Sequence, residues 1–335
     1  MAEFQMIYSE SNPGENQTIS DVFILVGFSN LDKLQIVLFL VLLVTYLLAL
    51  MGNLLVILLI KLNPSLHSPV YFFLVNLSFL EICYTTSVVP QLLIHLLVEQ
   101  KTITIAGCAA QMYVITIMGL TECCLLAAMA YDRYVAICHP LSYKTIMSGR
   151  ACAHLVGASW IIGISVQVAQ ITWIFSLPFC GSNRIHHFFC DILPVLRMAC
   201  TDTSKNEIMV FTVSVLLIIG PFLLIILSYI CIISTIFMLP SEEGRNKAFS
   251  TCSSHLMVVT LFYGMALITY LGLKSSFTLE SDQMLSLMNT IVGPVLNPII
   301  YTLRNKDVKG AFRKTVEKSI FSHSQRKQGM KNRVN

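Results

Sequence analysis

The residues of this chain best placed to do chemistry are two acids in apolar surroundings and one arginine. Glu81 and Glu122 each sit in the middle of a long apolar run, with no Lys or Arg nearby in sequence. A charge at the centre of a spanning helix costs about 2.5–3.5 kcal/mol on insertion scales. Two readings follow. The acids share a cation or a proton, or each is protonated and hydrogen-bonded to a neighbour such as Ser78, Thr121 or Asn297. A transporter could use such acids too, so alone they identify no class. Arg133 stands between Asp132 and Tyr134 at the end of another apolar run. His186, His187 and Cys190 are close enough in sequence to suggest a metal site, but an oxidised cysteine is a poor ligand. No nucleophile–base pair and no metal cluster stands out, so neither an enzyme nor a metalloprotein is expected.

The elements that must position these groups are apolar. Hydrophobic residues make up 55% of the 335 and charged residues 12%, with a mean hydropathy of +0.72. That leaves too few polar side chains to cover a water-soluble surface. A spanning helix needs roughly 20 mostly apolar residues, and seven such blocks occur, at 34–60, 70–98, 108–138, 152–174, 206–239, 247–272 and 281–304. Lipid offers backbone groups no partner, so the blocks are expected as helices. They lack the alternation of a closed β-barrel.

Basic residues set the orientation. With the N-terminus outside, the inner segments hold Lys61, Arg133, Lys144, Arg150, Arg245, Lys247 and the ten basic residues from Arg304 to Arg333. These are 16 of the 22 Lys and Arg, which favours the N-terminus outside and the C-terminus in the cytoplasm. The net charge of +4 is then a cytoplasmic rim and requires no nucleic acid. Residues 1–33 are too polar and acidic for a cleavable signal peptide and read as an extracellular tail. Asn16 opens a glycosylation sequon there. A second sequon at Asn76 lies inside a span, beyond the reach of that modification.

The expected organisation is one membrane domain, 34–304, without tandem repeats, followed by a cytoplasmic segment, 305–335. Residues 175–205, rich in Cys, His and Pro, read as a folded outer loop. Pro240-Ser241-Glu242-Glu243-Gly244 reads as a turn. After the last span, Val308, Phe312 and Val316 share one face among basic residues, as in a helix lying on an anionic leaflet. Pro90, Pro221, Pro294 and Pro298 interrupt spans and each removes one helical hydrogen bond. Cys108, Cys180, Cys190 and Cys200 fall outside; four thiols allow three connectivities, and spacing alone selects none.

Motifs in every span then converge. They are Gly52-Asn53; Pro69-Val70-Tyr71-Phe72-Phe73-Leu74 with Leu77-Ser78; Met129-Ala130-Tyr131-Asp132-Arg133-Tyr134-Val135-Ala136-Ile137-Cys138; Trp160; Pro221 with Ser228-Tyr229; Lys247-Ala248-Phe249-Ser250-Thr251-Cys252-Ser253-Ser254-His255-Leu256; and Pro294-Val295-Leu296-Asn297-Pro298-Ile299-Ile300-Tyr301. Over roughly residues 20–320 the chain resembles the olfactory receptors of the rhodopsin-like, G-protein-coupled class. It departs from their pattern at Val70, where methionine is usual, and at Glu81, where aspartate is usual.

The resemblance implies an all-α, seven-helix bundle in the plasma membrane. Its partners would be a small volatile ligand, a heterotrimeric stimulatory G protein that raises cyclic AMP, and the lipid bilayer. It implies disulfides Cys108–Cys190 and Cys180–Cys200. Asp132, Arg133, Tyr134, Tyr229, Asn297, Pro298 and Tyr301 would form the activation machinery, with Asp132 holding Arg133 at rest by a charge-assisted bond and Tyr229 and Tyr301 receiving it afterwards. The implied pocket is Met112, Ile115, Thr116, Gly119 and Leu120, then Val213 and Leu217, then Tyr263, Ala266, Leu267 and Tyr270, then Leu287. Amine receptors carry an aspartate where this chain has Ile115, so a neutral, mostly apolar ligand is expected, with Tyr270 as its directional contact. No cofactor is expected, apart from a sodium ion that could sit between Glu81 and Glu122. A chemosensory role outside the nose fits the same scaffold. A transporter would show internal repeats and leaves Asp132-Arg133-Tyr134 without a purpose.

Overall fold

The computed structural model describes residues 22–27, 34–180, 183–238, 240–271, 279–304, 308–315 and 317. The helices form where the apolar blocks lie: α1 (Gln35–Leu62), α2 (Pro69–His95), α3 (Ile105–Cys138), α4 (Gly149–Phe175), α5 (Ser204–Met238), α6 (Glu242–Leu271) and α7 (Leu279–Arg304). Among the described residues six of them are long and apolar enough to cross a membrane, and α6 contributes the apolar stretch Cys252–Ala266. Residues 308–315 are helical, with Val308 and Ala311 buried, Phe312 exposed, and Thr315 accepting a hydrogen bond from Asn63 at the end of α1.

The apolar surface is divided as a bilayer requires. On α5 the buried residues Ile225, Tyr229, Ile232 and Ile236 form one stripe at helical spacing, while Leu223, Leu224, Leu227 and Ile230 point outward. Leucines turned out of a soluble protein would be an aggregation hazard; here lipid is their solvent. The centre of the inner half is a cluster drawn from all seven helices, including Phe73, Leu125, Leu126, Ile232, Val258 and Tyr301. The α3–α4 contact is close because Gly163 has no side chain. A Cβ there would lie 2.1 Å from Thr121 Oγ1 and 3.2 Å from the carbonyl of Ile117.

Prolines shape α5 and α7. Pro221 has no N–H to give the carbonyl four residues back, and one π-helical turn, Val215–Ile219, precedes it. In α7 Pro298 likewise leaves the carbonyl of Pro294 without its helical partner. Asn53 Nδ2 supplies the missing bond at 3.0 Å and also donates to Ala49 O.

Two expectations need correction. The turn after α5 is shorter than Pro240–Gly244: Ser241 Oγ accepts from Gly244 N, so Ser241 caps α6, and Glu242 and Glu243 form its first turn, where acids suit the positive helix end. The outer face is also not wholly helical. β1 (Val22–Leu25) pairs antiparallel with β2 (Thr102–Thr104) and parallel with β3 (Arg184–Ile185), in the order β2-β1-β3. The alternation of Phe23 and Leu25, buried, with Val22 and Ile24, partly exposed, seats this sheet on the bundle. Asn16 and the tail beyond residue 317 lie outside the described residues.

Candidate functional site

At the outer end, disulfides join Cys108 to Cys190 and Cys180 to Cys200. The first ties the long loop to α3, and Cys190 N donates to Gln111 Oε1 beside it. Gln283 at the start of α7 donates to the carbonyls of Val26 and His186, and Lys101 Nζ donates to Gly27 O. Gly27 lies against Phe188, where a Cβ would come within 2.7 Å of another side chain. His187 stacks on Phe188 at 4.7 Å. Cys190 is oxidised, so it joins neither histidine in a metal site, and among the described residues no group of three His, Cys, Asp or Glu could hold a metal.

The implied pocket residues are divided among three packing clusters. Met112 is buried with Cys108, Ile171, Ile174 and Cys190 against the outer loop. Ile115 packs with Leu287, Val88 and Phe189. Tyr263 lies in the inner cluster, with its ring 4.7 Å from Phe222 and its hydroxyl donating to Cys123 O at 3.5 Å. Leu120 is buried, and Val213, Leu217 and Ala266 are half-buried. Thr116 gives its proton to Met112 O in its own helix. On α3 a Cβ at the partly exposed Gly119 would meet nothing within 4 Å. The side chains of Leu267 and Tyr270 lie outside the described part of the structure.

The two acids sit in one region. Glu81 is buried and accepts a hydrogen bond from Asn297 Nδ2. Glu122, on α3, is half-buried and near enough for its charge and that of Glu81 to act on each other. Ser78 and Thr121 bond neither acid, whereas Asn297 Oδ1 is buried without a partner. Carboxylate oxygens and an orphaned amide oxygen make a donor set that suits a hard cation.

At the inner end Asp132 is buried and takes its hydrogen bond from the hydroxyl of Tyr143 at 2.8 Å. The charge-assisted bond expected from Asp132 to Arg133 is not formed here, since among the described residues the one ion pair is Arg313–Glu317, and Arg133 reaches Asp132 through its charge alone. Tyr143 reaches the carboxylate because the chain turns back after α3 into the helical turn Tyr143–Ile146. Arg133 is half-buried, and its charge acts on Asp132, Tyr229, His255 and Tyr301. Tyr134 is bonded instead to His139 at 3.2 Å. Tyr301 OH is buried without a partner.

His255, within the α6 motif, bridges three helices. Its Nδ1 meets Tyr229 OH of α5 at 2.8 Å, and its Nε2 meets Leu126 O of α3 at 3.1 Å. A lone histidine within the α6 span is the available signal, since a buried imidazole needs partners for both nitrogens.

A family model described as olfactory receptor matches residues 18–319. The human olfactory receptor 10A4 is 53% identical, over 92% of this chain and 98% of its own. Human olfactory receptor 10P1 is 52% identical, over 91% and 98%. Squid rhodopsin superposes with a TM-score of 0.69 at 18% identity, covering 86% of this chain and 87% of that one, a likeness of fold. Seven apolar helices, the Asp132-Arg133-Tyr134 end of α3 and a match across nearly the whole length lead to one conclusion: this multi-pass membrane protein belongs to the olfactory receptor family of G-protein-coupled receptors and is not an enzyme.

Proposed function

We propose that the chain binds a small, mostly apolar volatile within the outer half of the bundle and activates a stimulatory G protein that raises cyclic AMP. The N-terminus is extracellular and the C-terminus cytoplasmic. The observation that carries this reading is the inner-end bridge, where Leu126, Tyr229 and His255 tie three helices together beside Arg133, which forms no ion pair among the described residues. Hydrogen bonds across helices give two discrete arrangements for a ligand to bias. A volatile of about ten heavy atoms at roughly 0.5 kcal/mol each binds with about −5 kcal/mol, a dissociation constant on the order of 0.1 mM. The test is a diverse volatile panel applied to cells expressing the surface-labelled receptor, with cyclic AMP read out. A response through another G-protein class alone sinks the stimulatory coupling.

The open space beside Gly119 gives a sharper check. Gly119→Leu fills it with four carbons where the ligand would lie. Surface labelling is expected to stay near wild type, because a Cβ meets nothing there, while agonist potency falls at least tenfold. Wild-type potency at matched expression places the ligand elsewhere.

Glu81, Glu122 and Asn297 would hold a sodium ion, whose positive charge keeps both acids ionised. Dose–response curves are expected to shift with sodium concentration, and Glu81→Gln to abolish the shift. Curves that coincide at all sodium concentrations in the wild type count against the site.

A further inference from the structure

Buried amides elsewhere in the bundle are used. Gln111 bonds Ser87 O, Gln91 Oε1 and Cys190 N, and Asn53 bonds two carbonyls. Three others are not. Gln167 and Gln170 on α4 and Asn206 on α5 are 6%, 2% and 4% exposed, and Gln167 Oε1, Gln170 Oε1 and Asn206 Nδ2 have no hydrogen-bond partner. A buried polar group without a partner is costly.

Their positions agree with one another. Gln167 and Gln170 continue the α4 stripe of Ser159 and Gly163, and Gly163 fixes that stripe against Ile117 and Thr121 of α3. Further out, Ile171 packs with Met112, and Tyr113 OH meets Thr172 Oγ1 at 2.7 Å. The two glutamines therefore lie level with Met112–Ile117, the stretch that carries Met112, Ile115 and Thr116. Asn206 is seven residues before Val213, which puts it on the same face of α5, and the start of α5 packs against α4. The orphaned groups are two acceptors and one donor, beside implied pocket positions.

We propose that Gln167, Gln170 and Asn206 form the hydrogen-bonding end of the ligand pocket and select volatiles bearing a hydroxyl group over molecules of the same shape without one. A hydroxyl donates its proton to a glutamine oxygen and accepts from the Asn206 amide, which no ether or alkane does. The inference rests on the odorant-sensing reading and names the ligand class that it left open. The resemblance implies only the walls of the pocket; the unmet amides supply its polar end.

The test uses the full-length receptor in cells and matched trios of an alcohol, its isomeric methyl ether and the alkane of equal size, on linear, cyclic and aromatic skeletons. The wild type is expected to answer alcohols at concentrations about tenfold below those for the matched ether and alkane. Gln167→Met is expected to bring the three within about threefold by weakening the alcohol response alone. A second measurement needs no agonist. If the amides await a ligand, Gln167→Met and Gln170→Met remove unmet polar groups and raise the unfolding temperature of the purified receptor. If instead buried waters hold them as structure, the same changes lower it, and the proposal is overturned. Equal wild-type responses across a trio overturn the proposal and leave odorant sensing standing. A surface-expressed receptor that answers no volatile overturns odorant sensing and this inference with it.

Discussion

Cys190→Ala is expected to leave the receptor inside the cell, with its surface fraction at least tenfold below wild type. The Cys108–Cys190 bond spans 82 residues of sequence and joins two fully buried side chains. Losing a native disulfide from a small secreted domain costs about 2–5 kcal/mol. Here more than the cross-link is at stake. The loop that Cys190 anchors carries Phe188 and Phe189, which pack on α1, α2 and α7, and β3, which completes the outer sheet. Cys190 N also uses the Gln111 oxygen, so a displaced loop orphans a buried amide. Cys83→Ala is the control, because Cys83 is a free thiol and only half-buried. Surface labelling against total receptor gives the ratio, and a Cys190→Ala ratio near that of Cys83→Ala contradicts the role given to the loop.

The seven helices were legible because hydropathy over some 20 residues is a strong, local signal. Helix ends were less so: α6 starts at Glu242 because a helix can run past the lipid on charged residues that hydropathy does not count. The outer sheet was missed because β1 is four residues long and lies in a tail that composition marks as polar. An apolar run such as Val22–Leu25 fits a strand, but its partners come from two distant loops. Within the site, Glu81 and Glu122 can be singled out because acids are rare in spans, whereas the bond of Glu81 to Asn297, and not to Ser78 or Thr121, depends on packing. Gln167 and Gln170 carry no charge and match no motif on α4. Their interest lies in having no partner, which only three-dimensional placement reveals. The Tyr143–Asp132 bond was equally hidden, since a loop tyrosine can turn anywhere until the turn after α3 is built.

Tyr143 also determines what removal of Arg133 should do. A buried acid whose cationic partner is deleted is left uncompensated, a loss of about 3–5 kcal/mol, and an Arg→Ala change in such a pair would unfold the inner end. Asp132 is bonded by Tyr143 instead, and Arg133 is half-buried outside any ion pair of the described residues. Arg133→Ala is therefore expected to insert and reach the surface within about twofold of wild type. Signalling should fail, because the guanidinium is the group whose charge reaches Tyr229, His255 and Tyr301 together. An alanine has nothing to exchange between those partners and a G protein. Agonist-driven cyclic AMP is expected below a tenth of wild type at matched surface density. Arg133→Lys keeps the charge but loses the planar fork of donors, so it should fall between the two. Normal cyclic AMP from surface-matched Arg133→Ala would remove Arg133 from the activation step, and a collapse of surface expression would show that Asp132 depends on Arg133 after all.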